Sequence, residues 1–299
     1  MRELIFLKPV VKKLVWGEEL WGVSAHPEGD CEILNGKWKG RTLSELWDSN
    51  REIFGGIEES TFPLLVKFIN TKSDLSIQVH PDDSYALIHE NQAKGKNECW
   101  YILDCEENAT IILGHTAKSR EELKEKIAEG KWDELLREVP IQKGDFIQID
   151  AGTIHALKGG TTLIETQQNS VITYRLYDYG RLVDGKLREL HVDKAVDVIR
   201  VPERSENNCM VHAKKYCKNQ LNLLINNDYY ISWKLEVEKK CSVIQNNPFL
   251  IISVLKGEGR IDGTQVKEGD HLIVPFEYGE IQFEGIMELI CSTYQRKKD

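Results

Sequence analysis

Two neutral polar side chains with lone pairs stand two residues apart in LSIQVHPDD, Leu75 to Asp83, just before a proline. In an extended backbone, residues i and i+2 point to the same side, so Gln78 and His80 aim at one point while Ile77 and Val79 enter the opposite layer. Taken alone, such a pair describes an edge strand with a satisfied histidine. Two further residues change the balance. Glu98 stands at the entry to a second apolar strand in GKNECWYIL, and His155 follows a tight turn in AGTIHAL. A β-barrel that gathers Gln78, His80, Glu98 and His155 forms a mixed oxygen and nitrogen shell suited to a borderline divalent metal ion. One carboxylate among three neutral ligands leaves the ion net positive and so a Lewis acid for an oxygen-bearing substrate. His26, His89, His115, His191 and His212 have no partner at ligand spacing, and His271 reads as structural.

The elements that must position these residues are mostly short strands. LSIQV, CWYIL, ATIILG, FIQID, TTLIET, SVITYRLY, YISWKLEV, PFLIISVLKG, HLIVPF and IMELICSTY are rich in β-branched and aromatic residues, with Gly, Asp, Asn or Pro between many of them. Three helices interrupt. TLSELWDSNREIFGG opens with Thr42 and Glu45 in capping-box spacing, and Gly55 ends it. SREELKEKIAEG repeats the device with Ser119, Glu122 and Gly130. DSYALIHENQAKG has Gly95 as its stop. IQKGDFIQIDAGTIHAL at 141–157 has an echo in VKEGDHLIVPFEYGEIQF at 266–283, each reading Gly-Asp, strand, small turn, strand. Ile281 and Gln282 stand in the echo where His155 stands in the first copy. These patterns predict two antiparallel barrels of jelly-roll type, one metal-bearing and one degenerate. The polar stretch PERSENNCMVHAKKYCKNQ places the boundary between them, giving units at 1–205 and 206–299.

Composition excludes several classes. The net charge of -9 leaves no basic surface for nucleic acid or an anionic membrane, though a small anionic substrate needs only a local cationic cluster. The 7 cysteines show no CxxC and no regular spacing, which reads as reduced intracellular thiols. Lysines interrupt the apolar start of the chain, and the apolar run PFLIISVL is too short to span a bilayer. A cytoplasmic protein is expected; nothing in the sequence names a protein partner.

PLLVKFINTKSDLSIQVHPDD, GKNECWYIL, AGTIHAL and ETQQNSVITYRLYDYGR together resemble the type I phosphomannose isomerases. With DGKLRELHVDKAVDVI, the likeness is to the short bacterial form, and it covers about residues 1–200 by sequence and the remainder by architecture. The resemblance implies a cupin fold and interconversion of mannose 6-phosphate and fructose 6-phosphate with one zinc ion per chain. It places the metal ligands on Gln78, His80, Glu98 and His155, and the phosphate-side and sugar-side residues on Ser76, Lys96, Glu165 and Arg175. Ser76 shares the face of Gln78 by the i, i+2 rule. Lys96 offers an ammonium to phosphate or sugar oxygens. Arg175, within an apolar stretch, needs an anionic partner, either Glu165 or a substrate. Aldose–ketose isomerisation through a cis-enediol requires a polarised carbonyl, a stabilised enediolate and a base. Glu165, Lys96 and a hydroxide on the metal all remain open as that base, as does a hydride shift. The competing readings are a non-catalytic sugar-phosphate-binding or regulatory cupin and another metal-dependent cupin enzyme.

Overall fold

The computed structural model describes residues 3–91, 94–203 and 209–295. Its architecture is mainly β with short helices, as the strand patterns predict. Two compact units emerge. One comprises Met1–Val11, Leu20–Lys67 and Lys215–Asp299; the other comprises Lys12–Glu19 and Phe68–Lys214. The boundary expected at 205/206 lies outside the described residues, and the units group the chain differently from a linear division. The cause is strand pairing. Ile5–Lys8 pairs antiparallel with His271–Val274, setting Ile5 opposite Ile273 and Leu7 opposite His271, and Glu32–Ile33 adds on its other side. Burial of Ile5 and Leu7 makes this early segment an inner strand of the C-terminal sheet.

The unit carrying the predicted ligands is built from two facing sheets. One runs Leu136–Pro140, Thr110–His115, His155–Leu157, Ile77–Val79, Tyr174–Tyr177. The other includes, in order, Met210–Val211, Phe146–Ile149, Glu98–Cys105 and Thr161–Gln168. Trp100, Ile102, Ile111, Leu113, Ile147, Ile149, Leu157 and Leu163 come from both sheets and form one buried cluster between them. Ile77, Val79, Ile112 and Ala156 face the other way and pack against Leu123, Ile127, Leu135 and Ala195 of the helices Arg120–Ala128, Trp132–Leu135 and Val192–Val198. The period of two therefore does what the sequence requires: with Ile77 and Val79 committed to the helix side, Gln78 points between the sheets.

The helix-start signals hold, but the helix expected to run to Gly55 ends at Ser49, and Gly55 instead closes a following 3-10 turn, Arg51–Phe54, in the left-handed conformation. Thr42 and Glu45 form the complete capping box of Leu43–Ser49, and the Ser119 side chain accepts from the Glu122 amide. The helix Asp83–His89 ends at His89 rather than running on to Gly95. Gly95 serves a different purpose: a Cβ there would lie 2.3 Å from the backbone carbon of Asp82, so only glycine lets the chain pass.

The echo between the two hairpins is structural. Gly144 donates to the Ile102 carbonyl and Gly269 to the Val254 carbonyl, at 2.8 and 3.0 Å. The Asp145 carboxylate accepts from the Gln142 amide, and that of Asp270 from the Lys267 amide, each at 2.8 Å. Counting along the pairs, Glu98 opposite Ile149 corresponds to Leu250 opposite Val274. Leu250 joins an apolar core with Leu235, Ile252, Leu272, Ile281, Phe283 and Leu289. His271 is buried in this unit, its Nδ1 2.9 Å from the Ser253 hydroxyl, and a Cβ on Gly22 would meet its ring at 2.2 Å. Among the described residues no helix is long and apolar enough to cross a membrane.

Burial lowers the His271 pKa from 6.5 to about 4. Between those values the unfolded chain binds a proton that the folded chain refuses, so stability is full above pH 6.5 and falls as pH drops towards 4. The contribution lost is at most roughly 3 kcal/mol, because a tenfold change in proton affinity corresponds to about 1.4 kcal/mol. The urea midpoint of His271→Gln should therefore depend less on pH over this window than that of the unsubstituted protein; parallel profiles would contradict the assignment.

Candidate active site

Three of the four expected ligands converge. His80, Glu98 and His155 are all buried, and their ligand atoms lie within 4.8 Å of one another. Nε2 of His80 is 3.5 Å from Oε2 of Glu98, and Nε2 of His155 is 3.4 Å from Oε1. Ligands about 2.0–2.1 Å from a tetrahedral zinc stand about 3.4 Å apart, so these edges suit that ion. Backbone carbonyls fix the rings. Nδ1 of His80 donates to Ile172 O at 2.8 Å and Nδ1 of His155 to Thr153 O at 3.0 Å, which leaves both Nε2 lone pairs facing Glu98. Oε1 of Glu98 accepts no hydrogen bond among the described residues. Two imidazole lone pairs and a buried carboxylate make a donor set that a divalent cation would fit.

Gln78 belongs to the same cluster through its strand. It is the direct cross-strand partner of His155 on one side and of Arg175 on the other, so the three share a face. Its Nε2, rather than Oε1, lies 3.3 Å from His155 Nε2, while Oε1 is 3.4 Å from the Ser76 hydroxyl. A half-turn of the amide exchanges the two atoms and presents the oxygen.

The Lys96 ammonium sits 2.7 Å from Glu98 Oε2 and 3.2 Å from His80 Nε2. Burial alone raises the Glu98 pKa, but Lys96 and then the two histidines outweigh it and hold the carboxyl well below its ordinary value. Burial first, and Lys96 second, push His80 down from 6.5 to about 3, and burial lowers His155. Both imidazoles are therefore neutral, and Glu98 charged, near pH 7. The turn before Glu98 is pinned. Lys96 N donates to Pro81 O, Gly95 N to Asp83 Oδ1, and both Asn97 N and Asn97 Nδ2 to Gln168 Oε1.

Glu165 is also on the inner face, one row deeper than Glu98. It pairs across the sheet with Trp100, whose indole nitrogen donates to its Oε2 at 2.8 Å. The ion pair considered between Glu165 and Arg175 is not formed. Arg175 is half-buried, donates from one guanidinium nitrogen to Glu189 O, and lies among Arg188, Asp178 and Glu189. Burial, then the charge of Arg188, lowers its pKa. Its Nε makes no hydrogen bond among the described residues, so a donor remains in the row of Gln78 and His155. Ser76 is buried beside Gln78.

Sequence reasoning missed Trp100 and Gln167. The signal that finds both is the i, i+2 rule, applied to Glu98 and to Glu165 as it was to Gln78. The carbonyls of Ile172 and Thr153 carry no side-chain signal.

Residues 6–99 match the catalytic domain of type I phosphomannose isomerase, and residues 219–294 match the cupin domain of mannose-6-phosphate isomerase. Mannose-6-phosphate isomerase ManA of Bacillus subtilis is 45% identical, over 97% of this chain and 98% of its own. The chain belongs to the type I phosphomannose isomerases. A crystal structure of the mannose 6-phosphate isomerase from Bacillus subtilis, 41% identical, superposes with a TM-score of 0.89 over 97% of this chain and 99% of that one. A zinc-bound mannose 6-phosphate isomerase shares the fold, with a TM-score of 0.80 at 15% identity over 98% and 99% of the two chains. The likeness to these isomerases thus extends through the C-terminal third as well.

Gly95→Ala tests the pinned turn. A Cβ would also meet the Asp83 backbone nitrogen at 2.4 Å, and neither backbone atom can yield without moving the turn that carries Lys96 and Glu98. Zinc affinity, measured by competition with a chelating dye, should fall about tenfold or more, the usual effect of disturbing a ligand's support. An unchanged affinity would show that the turn does not position Glu98.

Proposed function

We propose that this phosphomannose isomerase interconverts mannose 6-phosphate and fructose 6-phosphate at the His80, Glu98 and His155 cluster, with zinc held there and Gln78 as fourth ligand. The observation that carries this reading is a buried carboxylate flanked by two imidazoles whose Nε2 atoms are turned toward it by backbone carbonyls. The bound ion would supply positive charge to polarise the substrate's C1–C2 oxygens. The chain's own residues do the rest. Lys96 adds a cation beside the ligands, placed for a sugar oxygen or phosphate. Arg175, with a donor to spare in the Gln78 row, holds negative charge as it develops on the enediolate. Ser76 offers a hydroxyl at the same edge. Glu165, fixed by the Trp100 indole, is the remaining candidate-site carboxylate and is assigned the proton moved between the two carbons in a cis-enediol route. The named relatives and the zinc-bound neighbour support the substrate and the metal. Free thiols at all 7 cysteines fit a reducing, cytoplasmic setting.

A coupled assay of purified protein with mannose 6-phosphate, before and after chelation and after zinc is restored, tests the whole reading. Activity should vanish with the metal and return with zinc; turnover that survives complete chelation would refute it.

Arg175→Ala should lower kcat about a hundredfold, the scale seen when a preorganised charge-stabilising donor is removed, and should raise KM by less. Lysine should rescue it only in part, lacking the planar fork. Melting temperature and zinc content measured on the same sample should match the unsubstituted protein. A folded, metallated variant turning over at the original rate would exclude Arg175 from the chemistry.

A further inference from the structure

The neighbouring glutamines Gln167 and Gln168 are both buried, but they are satisfied differently. Gln168 is fully engaged. Its Oε1 accepts from Asn97 N and Nδ2, and its Nε2 donates to Asp83 Oδ1 at 2.9 Å. Gln167 is engaged at one end only. Its Nε2 donates to the carbonyls of Gln168 and Ser170, at 2.8 and 2.6 Å. These two bonds fix the amide, because the reversed orientation would set Oε1 against two carbonyl oxygens. Oε1 is therefore the directed atom, and among the described residues nothing donates to it.

Its direction follows from the sheet. Gln167 is the direct cross-strand partner of Glu98, so the two side chains rise from the same face. That face is the one on which Glu98 meets His80 and His155. A buried acceptor with no donor is costly and is kept where a ligand supplies the missing hydrogen. Lys96, the nearest cation by sequence, is directed at Glu98 and His80, at 2.7 and 3.2 Å, and makes no hydrogen bond to Gln167. A hydroxyl can supply the missing hydrogen, and a hexose phosphate brings several.

Resting on the isomerase reading, we propose that Gln167 is a substrate-positioning residue whose Oε1 accepts a hydrogen bond from one ring hydroxyl of the bound sugar phosphate, setting sugar orientation beside the metal cluster. Gln168 has a different task, that of holding the turn that carries Lys96.

The test pairs enzyme variants with trimmed ligands on zinc-loaded protein. The parent probe is 1,5-anhydromannitol 6-phosphate, which has no carbonyl to isomerise, and its companions lack the 2-, 3- or 4-hydroxyl in turn. Dissociation constants come from titration calorimetry. Gln167→Met should weaken the parent about tenfold, the scale of one hydrogen bond, and for a single deoxy probe the variant and the unsubstituted protein should bind alike. Gln167→Leu repeats the design with a different apolar side chain. Equal weakening of every probe would mark a purely structural role, and no weakening would mean that Oε1 faces water alone; either overturns the proposal. So would failure of both variants to fold or load zinc, judged by melting temperature and metal content. Failure of the isomerase reading is seen separately, as unsubstituted protein that neither turns over mannose 6-phosphate nor binds the parent probe.

Discussion

Glu98 has no exposed surface, yet it is held as a carboxylate. An isolated ionised carboxylate moved from water into a protein interior loses several kcal/mol even after the surroundings relax. The interior of the sandwich is organised around compensating that loss. Lys96 places a positive charge against one oxygen and supplies the compensation, while two neutral imidazoles turn lone pairs toward the carboxylate and add to the demand for a cation. Each of these groups is itself immobilised: the rings by Ile172 and Thr153 carbonyls, the lysine by a turn tied to Asp83 and Gln168. The same negative charge that makes the free protein expensive to assemble makes the site selective for a cation.

The second sheet unit shows what happens when that constraint is dropped. It keeps the Gly-Asp turn and the strand register of the first, but it carries Leu250 in place of Glu98. At that position no buried carboxylate needs compensation, and the surrounding positions are filled by Ile252, Leu272, Ile281 and Phe283; the unit's buried Lys234 is met instead by Glu288, 2.6 Å away. The single buried histidine, His271, is packed as a neutral ring on Gly22 and hydrogen-bonded to Ser253. Hairpin geometry is common to both units; the buried His80, Glu98 and His155 cluster belongs to one.

Much of this was legible in the sequence because the relevant code is short-range. Alternation placed Gln78 between the sheets, the Gly-Asp repeat announced the duplicated hairpin, and Thr42 with Glu45 marked a helix start that the structure keeps. Four separated segments were needed to collect the cluster, and the family pattern supplied what spacing alone leaves open. What stayed hidden depends on distant pairing or on the main chain. Nothing in ELIFLKP says that its strand inserts beside His271–Val274, so a linear reading makes the two units consecutive. Glu165 is the natural partner for Arg175 when both are expected inside; Trp100 occupies Glu165 instead, and the arginine is turned toward Glu189. Gly95 looks like a helix stop, whereas its necessity comes from a close approach to Asp82.

The pairing of Ile5 with Ile273 also sets an order of assembly. Residues Phe68–Lys214, which hold His80, Glu98 and His155, are contiguous and meet their sheet partners early in synthesis at the usual ~5–20 residues per second. The strand Ile5–Lys8 is made well before its partner and cannot dock there until His271–Val274 follows, so its apolar residues wait while more than 250 intervening residues are added. Loop-closure entropy makes so distant a contact late even in refolding. The unit with the His80, Glu98 and His155 cluster can thus close ahead of the unit that waits for Ile5–Lys8 to meet His271–Val274.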